Sequence, residues 1–355
     1  MNKKLIALAV AGLVSGSAFA QSNVQIYGLI DMGFSHAKGD ADKTTGINSG
    51  INDGSRLGFK GTEALGNGIS AVFNLEYQLY SDRNVGIGTG GFNSRKAYIG
   101  LTGNFGTVVA GRLNAPGDYI EAGMDSTDQS NSFSALYPLA ASLGSTMSAR
   151  LSNAVAYVSP AMGGFTFVGA LSFAGAEEIT GSAASSDGKA YSSDQERIFG
   201  ARISYEMGPL ALAYAHHRVN DLTNAPDLNQ REHMVGGTYD LGVAKLFGTY
   251  QTVKTTNGGA TINKGKVASL GATVPVGNDL VRVQFARGNP DGADNASTGF
   301  GIRFDHVLSK RTFAYIGYNR IGNDDGAAVI TRVGNVTAVP GESSSGYGFG
   351  IEHAF

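Results

Sequence analysis

From residue 21 onward, apolar and polar positions alternate along the chain. Between Ile69 and Tyr80, one face carries Ile69, Ala71, Phe73, Leu75, Tyr77 and Leu79, and the other carries Ser70, Val72, Asn74, Glu76, Gln78 and Tyr80. That period of two is the signature of a strand with one apolar side. The stretches 165–173, 199–207, 244–251, 281–285 and 347–355 repeat it. The connections alternate too. Short turns rich in Gly, Asn or Pro fall at 65–68, 104–106, 160–164, 208–209, 241–242, 276–278 and 309–311. Between them lie long polar stretches at 36–54, 81–93, 113–149, 174–196, 219–230, 255–263, 288–297 and 321–344. Seven turns and eight loops make fifteen connections, and hence sixteen strands. An even number of antiparallel strands with one short-turn end and one long-loop end predicts an all-β fold: a 16-stranded antiparallel transmembrane β-barrel with short periplasmic turns and long extracellular loops. Sixteen strands of about 10 membrane residues use roughly 160 positions, which the chain supplies with room for loops. A soluble propeller or sandwich also has short alternating strands, but it buries apolar faces around a packed core and does not keep so strict an alternation of short and long connections.

The first twenty residues read as an address. Lys3 and Lys4 precede the apolar run Leu5–Val14, and Ala18-Phe19-Ala20 supplies a small-x-small cleavage pattern. This predicts a cleaved signal peptide at 1–20 and a single barrel domain over 21–355. A run of ten residues is too short for a spanning helix, which needs about 18.

Composition narrows the function. Glycine supplies 52 of 355 residues, roughly twice the usual share of about 7%. The formal charge of −2 becomes −4 once Lys3 and Lys4 are removed, leaving 25 basic against 29 acidic side chains. A nucleic-acid partner, which needs a basic excess, is not expected. The absence of Cys excludes disulfides, thiolate nucleophiles and zinc–thiolate sites. No cofactor or metal is expected either. His216 and His217 are adjacent on a strand and so point to opposite faces. The acidic turns at 291–295 and 323–326 are explained by turn chemistry better than by calcium.

Particular segments carry a family resemblance. Ser55-Arg56-Leu57-Gly58-Phe59-Lys60-Gly61-Thr62-Glu63 followed by Leu65-Gly66-Asn67-Gly68 resembles the second strand and turn of the Gram-negative general porins, in the branch typical of beta-proteobacteria and Neisseria. Phe92 to Leu101, then Phe105-Gly106-Thr107 and Gly111-Arg112, resemble its fourth and fifth strands. Asn153 with Tyr157-Val158-Ser159-Pro160, Leu308 to Thr312, and the terminal Phe355 also match. The resemblance implies a homotrimer of barrels in the bacterial outer membrane, in contact with its lipid and lipopolysaccharide, forming a passive diffusion channel for small hydrophilic solutes and ions. It further implies that Phe355 is the signal read by the barrel-assembly machinery, and that the third loop, 113–149, folds into the lumen as a constriction.

Loop 113–149 contains Asp118, Glu121, Asp125 and Asp128 and no Lys or Arg. Arg56, Lys60, Arg95, Arg112 and Arg150 lie in or beside strands of the facing wall, and the resemblance places a basic cluster at Arg56, Arg95 and Arg150. Opposite charges across a narrow waist would set a transverse field, and the cations would favour anions within a Debye length of about 8–10 Å. The orientation of Arg95 is open: a regular strand that turns it inward also turns Ile99 and Leu101 inward, unless a bulge intervenes. An adhesin or structural barrel, and a barrel hydrolase, are the alternative functions; no convincing catalytic constellation is present, so an enzyme is not expected.

Overall fold

The computed structural model describes residues 23–83, 94–128, 130–173, 196–292, 294–334 and 336–355. The expected leader, and most of the polar stretches 81–93 and 174–196, lie outside them. The strands run β1 (Asn23–Lys38), β2 (Lys43–Ser49), β3 (Arg56–Gly66), β4 (Ile69–Gln78), β5 (Ser94–Gly103) and β6 (Gly106–Asn114). Two short helices follow, α1 (Asp118–Gly123) and α2 (Leu136–Ser142). Next come β7 (Arg150–Val158), β8 (Phe165–Ser172), β9 (Arg197–Met207), β10 (Leu210–Asn220), β11 (Leu228–Asp240) and β12 (Lys245–Asn257). The chain ends with β13 (Ala260–Val276), β14 (Asp279–Pro290), β15 (Ser297–Ser309), β16 (Thr312–Asn323) and β17 (Ser344–Ala354).

Each strand pairs antiparallel with its neighbours, and the sheet closes on itself. Residues 29–38 of β1 pair with 345–354 of β17. The other edge of β1 pairs with β2 through 32–38 and with β3 through 23–29. β2 and β3 are therefore two halves of one barrel position, interrupted at 50–55, and the seventeen segments fill sixteen positions. In lipid no water can satisfy a free N–H or C=O, so a spanning sheet must close.

The apolar faces point out. Ile99, Phe167, Phe199, Val235, Leu270, Phe285 and Phe349 are all exposed on the barrel wall, the reverse of a soluble protein and the arrangement a lipid-facing belt requires. Two loop expectations are corrected. The polar stretch 255–263 is not a long loop: β12 and β13 continue through it to a two-residue turn, Gly258-Gly259, with φ of +55° and +87°. Much of 36–54 is likewise strand, in β1 and β2. Beyond the membrane both faces of a strand meet water, so polarity there does not distinguish strand from loop.

Residues 115–149 fold into the barrel against the inner faces of β9 to β16. Ile120 and Met124 of the α1 segment, and Leu136, Leu139 and Leu143 of the α2 segment, pack in one cluster with Met234, Val253 and Val267 of the wall. Each fully buried apolar side chain contributes about 1.5–3 kcal/mol. The wall makes room with glycine. A Cβ on Gly301 would collide with the Phe133 carbonyl oxygen, and one on Gly317 with the Phe133 ring. Polar wall residues hold the rest. Gln284 Oε1 accepts from the Ala135 and Leu136 amides at 2.6 and 3.1 Å, satisfying donors at the start of α2 that no local side chain caps. Glu232 accepts from the Thr146 amide at 2.8 Å, the Ser145 hydroxyl at 3.1 Å and the Gln251 amide at 3.1 Å. His217 Nε2 accepts from the Gly117 amide at 3.1 Å.

Gly301→Val should therefore lift the Phe133 segment from the wall without opening the barrel. The expected result is faster proteolytic cleavage within 115–149, with the β-sheet circular dichroism retained; a cleavage rate equal to wild type counts against this account of the docking.

Candidate functional site

The loop occupies one side of the lumen, and the opposite arc, β3 to β7, carries the cations. Alternation on β3 puts Arg56, Gly58, Lys60 and Thr62 inward. Gly58 has space for the Tyr27 ring where any side chain would clash, and Lys60 Nζ sits 5.2 Å from that ring's centroid. On β4, Asn74, Glu76 and Gln78 face the same way. Glu76, nearly fully buried, is the hub of the arc. Its Oε1 accepts from Arg95 Nε at 2.8 Å, its Oε2 lies 2.9 Å from the Tyr27 hydroxyl, and Lys96 Nζ is 4.0 Å away.

A bulge settles the orientation of Arg95. In the β4–β5 pairing Glu76 faces Lys96, but Tyr77 faces Ser94, so Arg95 is the extra residue. It reaches Glu76 and also donates from Nη1 to Gln78 Oε1 at 2.7 Å. Past the bulge, Lys96, Tyr98, Gly100 and Thr102 share the inner face, while Ile99 and Leu101 are exposed on the outer one. A single inserted residue thus directs two successive cations into the lumen. Arg56 and Arg150 lie close enough to Arg95 to repel it, and Arg56 is ion-paired to Asp53 of the 50–55 interruption. With Arg112 set aside, five cations (Arg56, Lys60, Arg95, Lys96 and Arg150) against two acids (Asp53 and Glu76) leave the arc at +3. Neither Glu76 nor Lys96 is among the residues that the sequence singles out; the strict alternation of 69–80 is the signal that could have found Glu76.

Arg112 is placed differently. Its Nε donates to the Ser94 carbonyl at 2.7 Å and its Nη1 to the Ser152 hydroxyl at 2.6 Å, tying β5 and β7 across β6. The register shifts there between Gly111 and Leu113, and Gly111 takes a φ of +136°.

Of the four loop acids expected to face the arc, two do not, which corrects the sequence reading. Glu121 and Asp125 are 2% and 3% exposed. Asp125 braces the loop internally, accepting from the Thr127 amide and the Ser134 hydroxyl, both at 2.6 Å; burial raises its pKa, which these hydrogen bonds oppose. Glu121 accepts from the Ser148 hydroxyl at 3.1 Å, but its Oε2 has no partner. Burial, reinforced by Asp118, pushes it up to about 8. Asp118 accepts from Asn114 Nδ2 at 2.7 Å. Asp128, in the left-handed region at φ +61°, is exposed and lies 3.6 Å from Arg282 Nη2. Arg282 and the fully buried Arg303 share Asp305, and Arg303 also donates to the Thr127 carbonyl at 2.8 Å. The Tyr119 ring stacks on Arg202, 4.1 Å from its centroid. His217 faces the loop, whereas His216 faces outward, its ring 4.6 Å from that of His233.

The Gram-negative porin family profile matches residues 7–326, and the chain belongs to that family. It is 32% identical over 365 residues to outer membrane porin protein 32 of Delftia acidovorans, with both chains fully covered. It is 26% identical over 358 residues to the major outer membrane protein P.IB of Neisseria meningitidis, covering 94% of this chain and 98% of that one. Among solved structures, it is similar to an anion-selective porin from Comamonas acidovorans, with a TM-score of 0.79 and 27% identity over 94% of this chain and all of the other. Fold and family together make the protein a porin of the bacterial outer membrane, a water-filled channel for passive diffusion.

The buried acid yields a pH dependence of fixed sign. Glu121 is ordinarily ionised above about 4.5 but stays protonated under the loop up to about 8. Its contribution to docking is fully present below 4.5, falls by up to about tenfold per pH unit from there, and is lost above 8. Thermal unfolding of wild type and Glu121→Gln should diverge in favour of Gln between pH 5 and 8, then run parallel. A constant offset would contradict the burial of an ionisable group there.

Proposed function

We propose that the channel prefers anions, and that the gap between loop 115–149 and the β3–β7 arc sets the preference. The carrying observation is the gathering of Arg56, Arg95 and Arg150 in an arc of net charge +3, while Glu121 and Asp125 are buried under the loop. Fixed charge in a narrow, low-dielectric passage raises the local concentration of counter-ions. The similar porin from Comamonas acidovorans is anion-selective, which supports the same reading. Asp118 and Asp128 supply the opposing sign on the loop, and with the arc they impose a transverse field that orients polar solutes and disfavours apolar ones. Lys60 lies lower on the same wall, lining a hollow of about 470 Å³ with Asn74 and Tyr98; its role is to extend the positive potential along the path. Arg112 acts as a brace that keeps β5 and β7 in place around the arc.

The active unit is a homotrimer, as the family resemblance implies, and its mass in detergent tests this directly. Phe355 serves as the assembly signal. Its carbonyl and amide exchange hydrogen bonds with Gly28, each at 3.0 Å, so the residue that would be read during assembly also completes the closing seam.

Replacing Arg56, Arg95 and Arg150 by Gln should lower the anion-to-cation permeability ratio by roughly threefold or more. The reversal potential of single channels under a salt gradient reads this. In 1 M salt, where the Debye length falls to about 3 Å, the wild-type preference should shrink toward that of the variant. Unchanged selectivity in a folded, conducting triple variant would sink the assignment.

A further inference from the structure

The wall makes a detour between β2 and β3. On β1, only Ile30 and Asp31 separate Leu29, opposite Arg56, from Met32, opposite Ser49. Six residues, 50–55, fill the same interval on the other edge, so the chain there is longer than a regular ladder needs and leaves the sheet. It folds inward. Ile51 packs in one cluster with Phe133 of the loop and Tyr315 of β16. The Asn131 amide donates to the Asn52 carbonyl at 2.7 Å, and Asn131 Nδ2 donates to the Gly50 carbonyl at 3.0 Å. At the other end, a Cβ on Gly54 would come within 3.0 Å of Arg95 Nη1. The detour therefore reaches from the constriction loop to the basic arc, and Asp53 stands at its arc end, ion-paired to Arg56.

One residue holds the detour in place. Asp31 is fully buried, and its Oδ2 accepts from the Asn52 and Asp53 amides at 2.6 and 2.9 Å. Its Oδ1 accepts from the Tyr315 hydroxyl at 2.6 Å. Its backbone carbonyl accepts from the Gly50 amide at 3.0 Å and from the Ser55 hydroxyl at 3.2 Å. Amide bonds to a carboxylate are about twice as strong as neutral ones. They fix the backbone at 52–53, and with it the root of the Asp53 side chain.

The two acids of the arc differ in what surrounds them. Glu76 is buried and shared among Arg95, Lys96 and Tyr27. The Asp53 side chain is 37% exposed and, among the described residues, forms one ion pair, with Arg56. A carboxylate so placed meets lumenal water and cancels part of the attraction that Arg56 exerts on a passing anion.

We propose that Asp53 is a selectivity-determining residue that opposes the arginines, and that Asp31 is a positioning residue that holds it beside Arg56. The proposal rests on the reading that the arc draws anions. Without Asp53, the same five cations would face Glu76 alone, and the arc would stand at +4 in place of +3. The wall detour thus carries a counter-ion that limits the anion preference the arginines create.

The test reads reversal potentials of single channels under a dilute salt gradient. Asp53→Asn should raise the anion-to-cation permeability ratio roughly 1.5-fold. In 1 M salt, with a Debye length of about 3 Å, that difference should vanish. Asp31→Ala takes the acceptor from the two amides, so it should shift selectivity the same way, and adding Asp53→Asn to it should change little more. Asp31→Asn removes the same charge but keeps an oxygen for those amides, and should stay near wild type. Should Asp31→Ala not fold, Asp31→Ser, too short to reach the amides, takes its place. Asp240→Asn, at the short-turn rim, is the control and should leave the potential unchanged. Unchanged selectivity, or a shift toward cations, in a folded and conducting Asp53→Asn channel overturns the proposal. Equal shifts by Asp31→Asn and Asp31→Ala overturn the positioning role of Asp31. A wild-type channel that prefers cations would sink the arc reading alone; the shift on Asp53→Asn would still decide the role of Asp53.

Discussion

Every backbone amide and carbonyl inside the hydrocarbon must find a partner on the protein, and the rest of this structure follows from that requirement. Helices are not the solution here, so the sheet must close, and it does so where β1 meets β17 and where Phe355 bonds to Gly28. Closure fixes the pleat, and the pleat sends alternate side chains to lipid and to lumen. A barrel of sixteen strands is too wide for side chains to fill. Its interior is then wet unless a further element enters, and residues 115–149 are that element.

The loop could not enter as a polar segment alone. It carries its own apolar stripe, and the wall answers with Met234, Val253 and Val267, and with glycines where backbone approaches backbone. Burial then decides which charges matter. Glu121 and Asp125 are acids by composition but lie beneath the loop, where an ionised carboxylate is costly. Glu76 is buried too, yet it sits among Arg95, Lys96 and Arg56 and offsets part of their mutual repulsion. It holds Arg95 in a fixed pose while leaving the arc with excess positive charge. A cluster of guanidinium groups without such a counter-ion would splay apart.

Sixteen barrel positions are legible in the sequence because lipid enforces the apolar–polar alternation across the membrane. The alternation stops being informative at the membrane edge, which is why 255–263 has the look of a loop although it is a hairpin tip. Arg95 resists assignment because an inserted residue breaks parity without leaving a mark in composition. The basic trio is reached through family motifs, while Glu76 lies in plain view on the polar face of a strand. The burial of Glu121 also has a signal. Ile120 with Met124, and Leu136, Leu139, Ala140 and Leu143, recur at spacings of three and four, marking two short amphipathic helices with a wall to face. Glu121 follows Ile120 directly on the first of them.

Register is the part that periodicity could not supply, and it decides which residues of the wall meet the loop. On β11, Gln230, Glu232 and Met234 point inward to hold the loop, while Arg231 and His233 point outward. A slip of one residue would exchange the two sets, placing a buried carboxylate in lipid and an arginine under the loop. The inner hydrogen bonds of Glu232 and the outward placement of Arg231, opposite Arg218 and Lys254, therefore depend on the same ladder with β10 and β12. Repulsion among Arg218, Arg231 and Lys254 acts directly on that ladder, because the three are cross-strand neighbours.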